Sequence, residues 1–213
     1  MENKRLGKKA FSVLLKFMVL ALVVPLLWGC AKTVQEKKKL IVQQPQYPVE
    51  VQLEQLKPGL SVLYFYDLYR HINQMPQGEK IAKKGKPGPP VLQLNHRFKK
   101  GKVFDSGENR GVGMVMSGFF HLEQPGQYAF QARSNDGFEL YINDNLLISD
   151  PDVHGDKLSD IGQLTAAKGG WFPVVIKYYQ RKGTATIELY WQPPGAASFV
   201  IVPSQVYAHQ PKP

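Results

Sequence analysis

The chain has 213 residues, 43% of them hydrophobic and 11% aromatic, with a formal net charge of +10. That length suits one domain plus a leader and a connector, and the single cysteine excludes an internal disulfide framework. Nineteen Gly and 16 Pro predict many turns and few long helices. The positive charge suits contact with anionic polymers or lipid headgroups, and it also serves ordinary solubility.

Met1 to Lys9 is basic, and Phe11 to Leu27 is apolar apart from Lys16. The apolar run after Lys16 is short of the ~20 residues of a spanning helix, and Pro25 interrupts helical geometry. A basic start, a short apolar run and a small residue before the cut describe a secretory signal peptide over residues 1–29. Leu27-Trp28-Gly29-Cys30 resembles the lipobox of bacterial lipoproteins. The resemblance implies cleavage before Cys30 and lipid attachment at its sulfur, so that the exported protein is anchored to a membrane. Ala31 in place of Asp implies the outer membrane if the cell has two. Several acyl chains, at ~0.8 kcal/mol per buried methylene, hold where one does not.

Residues 30–54 hold Lys37-Lys38-Lys39, Gln43-Gln44-Pro45-Gln46 and Pro48 without hydrophobic periodicity. Such a stretch buries too little apolar surface to offset its ordering entropy, which predicts a flexible tether.

Strand signals then follow in series. Leu60 to Tyr66 and Val112 to Leu122 are β-branched and aromatic runs. His71 to Pro90 is rich in Lys, Gly and Pro and predicts an exposed loop. From Gln127 to Arg133, Tyr128, Phe130 and Ala132 alternate with polar residues; Phe138, Leu140 and Ile142 alternate with Glu139, Tyr141 and Asn143. Asn143-Asp144-Asn145 tolerates left-handed backbone and predicts a tight hairpin into Leu146-Leu147-Ile148. Phe172 to Tyr179 is another strand, with Pro173 near its start. In the last, Ala185, Ile187, Leu189 and Trp191 face inward and Thr184, Thr186, Glu188 and Tyr190 outward. Period-two patterning with closely spaced turns predicts an all-β antiparallel sandwich or barrel.

The stretch from Gly126 to Asn143, with its Ser134-Asn135-Asp136-Gly137 turn and Leu140-Tyr141-Ile142-Asn143 hairpin, resembles the centre of the PA14 domain. Leu164, Ala167, Gly169, Pro173, Ile176, Tyr178 and Tyr179 continue the resemblance, and Thr186 to Trp191 resembles the closing strand. It implies a PA14-like β-sandwich over residues 55–208, with 209–213 a tail. Members of that family are mostly carbohydrate-binding or interaction modules, although fold alone does not fix function.

In sugar-binding members, two adjacent Asp residues joined by a cis peptide hold a calcium ion that bridges to sugar hydroxyls. Carried over, that role falls on Asn135 and Asp136. Calcium favours several oxygen ligands, and Asn135 supplies one charge fewer than Asp. The second binding loop maps to Gln180-Arg181-Lys182-Gly183, whose two cations oppose a metal ion. The bland alternative is an Asx turn bonding its own backbone. Asp150, Asp152, His154, Asp156 and Asp160 cluster downstream but lack the Gly and terminal Glu of an EF-hand loop. Asp152, His154, Arg181 and Lys182 are thus ligand-binding candidates, no cofactor is required, and calcium is the ion to test. A basic stretch from Lys80 to Lys102 offers contact with anionic glycan or polymer, or a solvated loop. No stacking aromatics interleave with it, which argues against nucleic acid. No Gly-x-Ser-x-Gly, His-Glu-x-x-His or phosphate loop occurs, so no enzyme is expected. The expected function is a membrane-anchored binding module for glycan or an anionic envelope polymer. The alternative is an assembly lipoprotein docking onto envelope proteins.

Overall fold

The computed structural model describes residues 40–41 and 44–211. The leader and Cys30 lie outside the described residues. In chain order the strands begin with β1 (Leu40–Ile41), β2 (Lys57–Pro58), β3 (Leu60–Tyr66), β4 (Lys86–Val91) and β5 (Asn95–Lys99). Two long strands follow, β6 (Val112–Leu122) and β7 (Gly126–Asn135), then the hairpin of β8 (Phe138–Ile142) and β9 (Asn145–Asp150). Next come β10 (Lys157–Leu158), β11 (Gly162–Ala166), and the long strands β12 (Gly170–Gln180) and β13 (Ala185–Gln192). β14 (Val200–Ile201) and β15 (Tyr207–His209) close the series. One α-helix occurs among the described residues, α1 (Glu79–Lys84).

The strands form two sheets. The first runs β1-β11-β7-β13-β14, with β10 on β7 and β5 on β13; the second runs β2-β15-β6-β12-β8-β9, with β3 on β6 and β4 on β3. Pairing is antiparallel except between β1 and β11. The alternation expected from the sequence sets which face is buried. Tyr128, Phe130 and Ala132 of β7 meet Ile187, Leu189 and Trp191 of β13 on the inner side of the first sheet. Phe172, Val174, Ile176 and Tyr178 of β12, with Met114, Met116 and Phe120 of β6, cover them from the second. Each fully buried large side chain contributes about 1.5–3 kcal/mol, so this layer dominates stability. Asn143 and Asp144 form the two-residue turn between β8 and β9, both at positive φ (48° and 61°), which matches the strand twist.

Two regions differ from the sequence expectation. Residues 71–90 are not a simple loop. They hold a 3-10 turn, α1 and the edge strand β4. Ile72 and Met75 anchor the turn by packing with Phe65, Tyr69, Val115 and Tyr179 in a second apolar cluster. β4, Lys86-Pro-Gly-Pro-Pro-Val91, pairs only with β3, and an edge is where missing proline donors are tolerated. The stretch expected to be a tether is also partly docked. Gln46 N–H donates to Thr165 at 2.7 Å and Val49 N–H to Trp171 at 2.9 Å. Asn143 and Asn145 side chains fix Tyr47 O and Gln46 Oε1 at 2.9 Å. Backbone pairing with an open sheet edge, rather than apolar burial, orders these polar residues.

Candidate ligand-binding site

Three turns meet at one end of the sandwich: 135–137 between β7 and β8, 151–156 after β9, and 181–184 between β12 and β13. Asp136 joins them. It is 3% exposed. Its Oδ2 accepts the Arg181 backbone N–H at 2.7 Å and its Oδ1 accepts the His154 backbone N–H at 3.2 Å. Burial raises the Asp136 pKa, and these two donors oppose the rise without cancelling it. Asn135 completes the junction. Its Nδ2 donates to Asp156 Oδ1 and Thr184 Oγ1, both at 3.0 Å, and its carbonyl accepts the Tyr178 hydroxyl at 2.7 Å. Thr186 Oγ1 donates to Asp156 Oδ2 at 2.9 Å. The Asn135–Asp136 peptide bond is cis. Gly137 is required by close approach, since a Cβ there would lie 2.4 Å from Tyr179 Cε1 and 2.8 Å from Pro151 O.

His154 is fixed as well. Its Nδ1 lies 2.8 Å from Gly155 O, a carbonyl that can only accept, so Nδ1 carries the proton. Its Nε2 is 3.1 Å from Asp150 Oδ2, out of line for a directed hydrogen bond. Lys157 Nζ lies 2.7 Å from Asp150 Oδ1. Burial works against ionisation of Asp150, but His154 and Lys157 hold its carboxyl below the ordinary value.

The structure thus brings Asn135, Asp136, His154 and Arg181 together, with Lys182 exposed on the same turn. Asp152 stands apart. Its side chain is largely exposed, with His71 Nε2 4.0 Å away. Both oxygens of Asp136 carry backbone donors, and no group of three or more His, Cys, Asp or Glu able to hold a metal ion occurs among the described residues. The arrangement is a clamp that stitches three loops, and it presents two cations.

Sequence reading did not find the cavity beside the clamp. The Arg181 carbonyl accepts Gly111 N–H at 2.9 Å, and the Gly111 carbonyl accepts Asp67 N–H at 3.0 Å, which ties the end of β3 to the same loops. Here Tyr66, Asp67, Tyr69, Gln74, Lys84 and Lys86 line a cavity of about 490 Å³. Tyr66 is 45% exposed, so its ring offers a face to solvent. The basic stretch was visible in sequence; α1 and β4 are what bring two of its lysines into the lining of the same cavity as the tyrosines.

A model of the PA14 domain family matches residues 98–205, just over half of the chain. The chain belongs to the PA14 domain family. No curated protein matches it in sequence. Among solved structures, this PA14 chain is similar to an anti-sigma factor domain-containing protein from Clostridium clariflavum, at 17% identity and TM-score 0.60, over 74% of this chain and 48% of that one. The chain therefore spans about half the length of that protein. It is similar to the PA14 domain of the antifreeze protein MpAFP, at 16% identity and TM-score 0.57, over 76% of this chain and 95% of that one. A subtype-switched Epithelial Adhesin 9 A domain from Candida glabrata, solved in complex with β-lactose, gives 11% identity and TM-score 0.57, over 78% and 95%. At these identities the likeness is one of fold.

Proposed function

We propose that this PA14 domain is a non-catalytic, membrane-tethered module outside the cytoplasm that binds an anionic glycan or envelope polymer at its loop end, without calcium. The observation that carries the reading is the cavity in which Lys84 and Lys86 join the half-exposed Tyr66, with Asp67 the one carboxylate in its lining, near the turn bearing Arg181 and Lys182. Tyrosine rings accept the CH faces of sugars and ammonium groups accept carboxylate or phosphate. The fold supports it, since a similar domain was solved with a bound sugar. The clamp supports calcium independence. Asp136 already holds two backbone donors, and the Arg181 charge acts on it where a cation would sit. The lipobox resemblance at Cys30 supports the tether. A glycan array probed with the full chain in detergent tests the reading. Uronate- or phosphate-bearing glycans are expected to retain the protein, less so at high salt and less so for a Lys84→Gln, Lys86→Gln variant. Absence of retention by any glycan at high protein concentration counts against it.

A further inference from the structure

The outer face of the second sheet is apolar where alternation calls for polar residues. β3, β6 and β12 read as near-continuous apolar runs, the pattern of strands covered on both sides. Toward the loop end the chain covers this face itself. Ile72 and Met75 lie against Phe65, Val115 and Tyr179, and Ile81 of α1 packs on the same cluster. Val175 also packs there, and from it the face continues bare. One row across the strands holds Ser117, Val175, Tyr141 and Leu146. The next pairs Phe119 with Pro173, and the last pairs His121 with Trp171. All of these are partly exposed, Leu146 at 39%. Val49, beside Trp171, is 40% exposed.

None of these residues is Asp, Glu, Lys or Arg. The charges at the border are spent locally: Lys177 Nζ lies 3.8 Å from Glu139 Oε2, 2.8 Å from Gln77 Oε1 and 5.1 Å from the Tyr141 ring centroid. The dimensions of the strip select its occupant. From β15 through β6, β12 and β8 to β9 is four strand spacings, about 19 Å at ~4.8 Å each. Val175 to Trp171 along β12 adds about 14 Å at ~3.4 Å per residue. The resulting area of about 270 Å² is roughly a third of the ~800 Å² that each partner buries in a stable interface, too small for a dimer through this face. It matches one α-helix laid across the strands, ~10 Å wide and about 13 residues long at ~1.5 Å per residue. The chain carries a net charge of +10, which favours a helix with an apolar stripe toward the strip and acidic residues on its other face.

We propose that this strip docks an amphipathic helix of a partner protein, laid across β6, β12, β8 and β9. Docking there does not depend on the loop end binding an anionic glycan. The test is photo-crosslinking in the cells that make the protein. Benzoylphenylalanine is placed at Ser117 or at Leu146 of the full chain, and the joined residues are read by mass spectrometry. Both side chains point outward, so the probe replaces no core contact. Both positions should reach one segment of one protein. They stand three strand spacings apart, about 14 Å. The two joined residues should therefore lie about nine or ten apart in a segment with an apolar stripe, at ~1.5 Å per residue. A separation of about four residues would mean an extended segment and would overturn the helix. Crosslinks to a second copy of this chain, to lipid, or to no discrete partner also overturn the proposal. Lys84→Gln with Lys86→Gln should leave both crosslinks in place, and their loss in that variant would contradict a surface independent of the loop end.

Discussion

The backbone N–H of Arg181 donates to Asp136 Oδ2 at 2.7 Å, so a buried carboxylate holds the turn that carries the exposed Lys182. The other oxygen takes the N–H of His154. One side chain therefore sets the relative position of two loops that are 27 residues apart in sequence, counted from His154 to Arg181.

Asp136→Ala takes the acceptor away from both part-buried donors. Each unpaired group costs about 1–3 kcal/mol, so a loss of roughly 2–4 kcal/mol is expected in urea denaturation, with the two-state slope unchanged. Millimolar calcium should not alter the midpoint of either protein, since binding to the native state alone would raise it.

The pH dependence separates Asp136 from two other carboxylates. Asp150 and Glu188 resist ionisation through burial, yet their partners prevail and lower their pKa values: His154 and Lys157 for Asp150, Arg97 and Tyr190 for Glu188. Their stabilisation is complete above the ordinary carboxylate range of about 4 and is lost as pH falls through the lowered values. Asp136 has the opposite sign. Its raised pKa gives stability that is present below its ordinary value and lost as pH rises through the raised one. Stability curves between about pH 3 and about pH 7 should therefore show the wild-type advantage over Asp136→Asn shrinking with pH, and that over Glu188→Gln growing.

Much of the sandwich was legible in the sequence because one face of each strand is buried. The alternation from Ala185 to Trp191 and from Tyr128 to Ala132 fixes the inner face without knowledge of the partner strand. The segment from His71 to Pro90 was not legible. Its two anchors, Ile72 and Met75, are too few to make a period, and β4 lacks alternation because it is an edge rich in proline. The loop-end turn was recognisable from Asn135-Asp136-Gly137, but not the occupation of Asp136 by backbone donors. Cross-strand partners are invisible for the same reason. Arg97 meets Glu188 at 2.6 Å only because β5 lies beside β13.

The proposed lipid attachment at Cys30 has a direct readout. Cells grown with radiolabelled palmitate should yield labelled protein in the membrane fraction, and Cys30→Ser should abolish the label. A labelled Cys30→Ser protein would contradict the lipobox reading.

The central claim is calcium-independent recognition of an anionic glycan at the loop end. Calorimetric titration of the full chain in detergent with an oligouronate, once in EDTA and once in millimolar calcium, tests it most directly. The account predicts the same affinity in both, weakened by added salt and by Lys84→Gln with Lys86→Gln. Binding that requires calcium, or that survives loss of both lysines unchanged, would contradict it.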